Sequence, residues 1–185
     1  MKKLINTLFV TFGLLASVST FAQNSSDDTE LTVNIGESYS IEVNQATVAI
    51  DMNLPSHFTG GNESGVQDNH VKVTASGAYY VEAKTSGATF NGPSGTSTLD
   101  VSNVELVLTD GGDLSGNQST LSNINSQATN LALSVTEQEV VNVDGGDLNR
   151  GFDVNYLIPA ANASNFLNQA NGNYTTTVTY TIVPN

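Results

Sequence analysis

Residues 172–183, Gly-Asn-Tyr-Thr-Thr-Thr-Val-Thr-Tyr-Thr-Ile-Val, hold the clearest alternation in the chain. Tyr174, Thr176, Val178, Tyr180 and Ile182 fall on one face of an extended segment, and Thr175, Thr177, Thr179 and Thr181 on the other. A period of two, carried by β-branched and aromatic residues, predicts a half-buried antiparallel strand. Gly172 and Asn173 break the chain before it, and Pro184 stops it. At ~3.3 Å per residue such a strand spans roughly 35 Å, so the remaining, shorter strands must pair with it or face it.

The same period recurs along the chain. Leu31, Val33 and Ile35 predict a first strand, Tyr39, Ile41 and Val43 a second, and Ala46, Val48, Ile50, Met52 and Leu54 a third. Asn44-Gln45 marks a turn or bulge between the second and third. Residues 57–69 are rich in Gly, Asn and Ser and predict a loop. Val71, Val73 and Ala75 then pass through Gly77 into residues 78–85, a pattern that predicts a hairpin. Residues 86–98 carry Gly87, Gly92, Pro93 and Gly95 and predict a second long connection around Phe90. Val101, Val104, Leu106 and Leu108 resume the strand pattern, with a bulge expected near Asn103 where alternation breaks. Leu131, Leu133 and Val135, then Val140, Val141 and Val143, then Phe152, Val154, Tyr156 and Ile158 predict three more strands. Residues 160–170 are the one predicted helix, of one or two turns.

Many short strands joined by Gly, Asn and Pro connections predict an all-β fold: an Ig-like β-sandwich with Greek-key connections and one short helix before the last strand. A closed barrel is the alternative. The organisation expected is a secretory signal at residues 1–22, a flexible acidic lead-in at 23–30, and a single sandwich domain at 31–185.

The signal rests on Lys2 and Lys3, an apolar run over residues 4–15, and Thr-Phe-Ala before Gln23. The run is too short and too interrupted for a retained bilayer span. The expected address is therefore secreted, in the periplasm or at the cell surface. Beyond residue 22 the strong bases are Lys72, Lys84 and Arg150 against 18 acids, which takes the formal charge from −13 to −15. That balance excludes nucleic acid and anionic lipid as partners, since both need clustered Lys and Arg. The chain has no cysteine, so an exported domain of this size must hold by its core alone.

Local chemistry is sparse. Asp-Gly-Gly-Asp-Leu occurs twice, at residues 110–114 and 144–148. Asp110, Asp113, Asp144 and Asp147, with Asp153 nearby, offer hard oxygen ligands for Ca²⁺, but the spacing fits no established calcium loop, and Asp-Gly is good turn chemistry in its own right. Turns are the simpler reading, and no other cofactor is expected. His57 and His70 have no zinc-ligand spacing and are expected at the surface. Gly92-Pro93-Ser94-Gly95-Thr96 fails the nucleophile-elbow pattern at its last position, and no tryptophan is present to form a sugar platform. No enzyme is expected. Tyr79 and Tyr80 are adjacent on a predicted strand, so one faces out if the other is buried, and an exposed tyrosine is a candidate ligand contact.

Residues 43–90, which end in Val-Lys-Val-Thr-Ala-Ser-Gly-Ala-Tyr-Tyr-Val-Glu-Ala-Lys and the connection to Phe90, resemble secreted bacterial Ig-like surface domains, as do Tyr156-Leu-Ile-Pro-Ala, Phe166-Leu and the Gly-x-Tyr-x-x-Thr-Val-Thr of the final strand. These domains include fimbrial subunits, spore-coat-U-like proteins and WxL-type domains. The chain departs from them in lacking the tryptophan of a Trp-x-Leu motif and the cysteines frequent in pilins and coat proteins. The resemblance implies the sandwich and a surface role, and it carries over no binding residues. It also implies that Leu31, Val33 and Ile35, if they do not pair within their own domain, have the alternation of a strand donated to a neighbouring subunit. The expected function is a structural or adhesive subunit of the cell envelope or a fimbria-like fibre, with other subunits or surface glycans as partners. The alternative is a monomeric module that binds glycan or protein through residues 60–68 and 87–95.

Overall fold

A computed structural model describes residues 26–116 and 120–185. The expected signal at 1–22 and the start of the lead-in lie outside the described residues. The chain divides into two units, residues 1–34 and 35–185. In the first, residues 26–34 form no strand or helix and are exposed.

The second unit is an all-β sandwich of antiparallel strands. Its first sheet contains β1 (Tyr39–Val43), β3 (Gln67–Ala75), β11 (Asp147–Pro159), β7 (Glu105–Asp113) and β9 (Leu131–Ala132) in that order, with β2 (Gly61–Glu63) also paired to β11. Its second sheet runs β12 (Val178–Pro184), β4 (Tyr79–Thr85), β10 (Gln138–Val143) and β8 (Ile124–Gln127). β5 (Thr89–Gly92) and β6 (Gly95–Asp100) form a small hairpin. From β7 onward each successive strand lies in the opposite sheet, so neighbours in a sheet are not consecutive in the chain; β11 lies between β3 and β7. α1 (His57–Gly60) and α2 (Ala160–Ala163) are single turns, and a 3-10 turn over Ser164–Phe166 extends α2.

The period of two places the core. Val71, Val73 and Ala75 from β3, Leu106 and Leu108 from β7, and Phe152, Val154, Tyr156 and Ile158 from β11 are buried from one sheet. Tyr79, Val81, Ala83, Val141, Val143 and Tyr180 are buried from the other. Val140 and Val141 are both buried although adjacent, because β10 shifts register against β4 between Glu139 and Val141.

Several expected elements are corrected. Residues 71–85 do not form a hairpin: β3 and β4 belong to different sheets. Alternation gives the buried face of each run but does not say whether two buried faces lie side by side or across the core. The long connection at 86–98 contains the β5–β6 hairpin, and the loop at 57–69 contains α1, β2 and the start of β3. The bulge near Asn103 is a 3-10 turn, Val101–Asn103, capped by the Asp100 carboxylate, which accepts from Ser102 N–H at 2.8 Å. The final strand is β12 alone, joined upstream by an isolated bridge between Thr175 and Asn91. Two expected strands are not formed, at residues 31–35 and 46–54.

Candidate functional site

Arg150 brings the two Asp-Gly-Gly-Asp stretches together. It lies in β11, where its backbone registers with Asp113 of β7 on one side and Val73 of β3 on the other, and its side chain is 3 % exposed. The guanidinium grips Asp110 with both arms, Nε–H to Oδ1 at 3.0 Å and Nη2–H to Oδ2 at 2.8 Å. Nη1–H donates to Asp147 Oδ2 at 2.9 Å and to the Ser122 carbonyl at 2.7 Å. Asp147 is fully buried; it also accepts from the Tyr79 hydroxyl at 3.0 Å and from Ser122 N–H at 2.9 Å. Charge-assisted, bidentate contacts of this kind are the strong hydrogen bonds of a protein interior.

The titration of the cluster follows from these bonds. Burial pushes Asp110 up, but hydrogen bonds from Arg150 and Gly112 N–H, with the Arg150 charge, outweigh it and hold the carboxyl below its ordinary range. Burial lowers Arg150, while hydrogen bonds to both carboxylates raise it further, so it is charged throughout. Burial, then the Asp147 charge and hydrogen bond, keep Tyr79 protonated as a donor.

Of the other acids, Asp113 closes a local turn, while Asp144 and the neighbouring Asp153 bond segments distant in the chain. Asp113 Oδ1 accepts from Ser115 N–H at 2.8 Å and its hydroxyl at 2.6 Å. Asp144 accepts from Asn123 N–H and Nδ2–H at 2.9 and 3.0 Å, and Asp153 accepts from Asn69 N–H at 2.6 Å. Among the described residues no three His, Asp or Glu side chains converge as a cation site would require. The chemistry of the repeats is that of a buried ion-pair cross-link. One sequence signal pointed to it: one of the chain's few bases follows the second repeat, three residues beyond Asp147.

Tyr79 and Tyr80 divide as adjacent strand residues must. Tyr79 is fully buried, and Tyr80 is half-buried on the outer face of β4, with Asn142 and Val183 beside it. The expectation that both histidines lie at the surface is corrected. His70 is 3 % exposed, its ring edge-on to Tyr156 and Tyr180 at 6.0 and 5.8 Å. Its Nδ1 lies 2.8 Å from Gln45 Oε1, and burial lowers its pKa. His57 is half-buried in α1.

The two unformed strands are of different kinds. Leu31, Val33 and Ile35 are 85 %, 73 % and 91 % exposed. An alternating sequence becomes a strand only where another strand offers it a ladder, and among the described residues none does so for 31–35. Residues 46–53 instead keep the side-chain distribution of a strand. Val48, Ile50 and Met52 are half-buried against the core, while Thr47, Ala49 and Asp51 are exposed. The segment is held at both ends. Before it, Asn44 Nδ2–H and Gln45 Nε2–H donate to the Asn69 and Asp68 carbonyls; within it, the Asp51 carbonyl accepts from Asn62 Nδ2–H at 2.6 Å. Yet among the described residues no backbone-to-backbone hydrogen bond joins any of 46–53 to another strand.

No family model matches the chain, and no curated protein matches it either. No helix among the described residues is long and apolar enough to cross a membrane.

Proposed function

We propose that this chain is a non-enzymatic, exported surface protein, a structural or adhesive subunit of the cell envelope or of a fimbria-like fibre, whose copies join by strand addition. The observation that carries this reading is the exposure of Leu31, Val33 and Ile35 in a segment with strand periodicity and no strand partner among the described residues. Burying each such side chain stabilises by about 1.5–3 kcal/mol, and an unpaired alternating segment is a ready template for another chain. The absence of cysteine and the excess of acids suit a secreted chain that stays dispersed until a specific contact forms.

The test is the assembly state of the native, secreted full chain, by negative-stain electron microscopy and by gels of boiled and unboiled samples. Filaments, or a ladder that collapses on boiling, are expected, and Leu31→Ser, Val33→Ser and Ile35→Ser together are expected to abolish them. A monomer in every condition, with the triple variant indistinguishable from the parent, would overturn the reading.

A further inference from the structure

We infer that residues 46–53 are the acceptor for residues 31–35 of a second copy of this chain, the two extended segments pairing as β-strands. The inference rests on the strand-addition reading above and gives that reading its surface.

The acceptor has the side-chain alternation of a strand over residues 47–52 but no ladder among the described residues. Its sequence alternates, its inward side chains pack on the core, and its outward ones are exposed. Immediately upstream, β1 makes a continuous antiparallel ladder with β3, and Asn44 N–H still reaches the His70 carbonyl at 2.9 Å. The ladder then stops; alternation breaks at residues 46 and 47, which are both exposed, and resumes in the opposite phase with Val48, Ile50 and Met52 inward. Apart from the Asp51 carbonyl, which accepts from Asn62, the backbone groups of residues 46–53 have no ladder partner among the described residues, and the anchors from Asn44, Gln45 and Asn62 hold the segment in place beforehand.

The occupant is set by complementarity. Residues 31–35 have the same period, present three large apolar side chains against Val48, Ile50 and Met52, and at ~3.3 Å per residue fit within the length of the acceptor. These three side chains are exposed, and the occupant we assign is the same segment of a second copy. With Leu31, Val33 and Ile35 turned inward, Thr32 and Asn34 face out beside Thr47, Ala49 and Asp51.

The chain's lack of cysteine makes the pairing directly readable. Full-length chain bearing Asn34→Cys is mixed, under mild oxidation, with chain of different tag mass bearing Thr47→Cys, Ala49→Cys or Asp51→Cys. Parallel mixtures use Thr179→Cys or Thr181→Cys on β12, which ends the second sheet and is the rival edge. All six positions are exposed, and an unchanged melting transition confirms that each variant folds. Reductant-sensitive heterodimers with one or more of positions 47, 49 and 51, and their loss at 179 and 181, are the expected result. Heterodimers confined to 179 or 181 would leave strand addition standing and overturn this acceptor. Association by sedimentation without a cross-link at either set would overturn the acceptor as well. A chain that does not associate at all would overturn the strand-addition reading, and the acceptor with it.

Discussion

Tyr156 of β11 and Tyr180 of β12 meet hydroxyl to hydroxyl at 2.7 Å, a side-chain bond between the two sheets. Both are 8 % exposed, and the His70 ring lies edge-on to each. Burial raises both phenols. Tyr156 is pushed up to about 12 even though its bond with Tyr180 lowers it, and Tyr180 lies well above its ordinary value. Changing either to Phe strands the other hydroxyl in the core, at a cost of about 1–3 kcal/mol, whereas the double change removes both groups and costs less than the sum. A double-mutant cycle by urea unfolding measures this, and strictly additive singles would refute it. The raised phenols also fix a sign: their stabilisation is complete below pH 10 and is lost as pH climbs from there through the folded values.

Arg150 answers to two carboxylates in very different surroundings. The Asp147 side chain is 0 % exposed, and that of Asp110 is 36 % exposed. Replacing Arg150 with Met leaves Asp147 buried without its cation and is expected to cost about 3–5 kcal/mol. Asp110→Asn, partly screened by solvent, is expected to cost about 1 kcal/mol or less. Urea unfolding at pH 7 separates the two, and equal effects would contradict the assigned asymmetry. Because Asp110 titrates below its ordinary value of 3.8, its contribution is complete above that pH and is lost as pH falls through the folded value.

His70 sets a second acid window. Its folded pKa lies below the ordinary 6.5, so the folded chain favours the neutral ring. Stability is therefore full above pH 6.5 and declines as pH falls from there toward the folded value. His70→Gln is expected to flatten the stability curve between pH 7.5 and 5.5, and an unchanged slope in the variant would sink the assignment.

Exposure also separates the residues proposed to assemble the protein from those that fold it. Leu31→Ser, Val33→Ser and Ile35→Ser are each expected to change the unfolding free energy of the monomer by no more than about 0.5 kcal/mol, while Leu106→Ala in the core costs about 2–5 kcal/mol. Association between copies, as proposed, is expected to have the opposite dependence and to be lost in the serine variants. The segment bearing Leu31 also carries Asp27, Asp28 and Glu30, in a chain already strongly acidic, so association is expected to strengthen with added salt as the screening length shortens toward about 8 Å at 0.15 M. Sedimentation across a salt series reads this directly, and association that weakens with salt would contradict it.

The sequence by itself determined the faces. It placed Tyr174, Thr176, Val178, Tyr180 and Ile182 on the more buried side and the intervening threonines outside, and it required Tyr79 and Tyr80 to point opposite ways. Alternation reports the pleat of the backbone, which is local, so these assignments needed no knowledge of neighbours. Tertiary structure decided everything that depends on a partner far along the chain. It put β3 and β4 across the core from each other, set His70 under Gln45, and drew Asp110 of β7 and Asp147 of β11 onto Arg150 from the two copies of the repeat, offset by 34 residues. It also decided which alternating runs became strands. Residues 39–43 found β3, whereas residues 31–35 and 46–53, with the same period, found no ladder among the described residues. A strand is half made by its own sequence, and the other half is the hydrogen-bonding edge that another segment supplies.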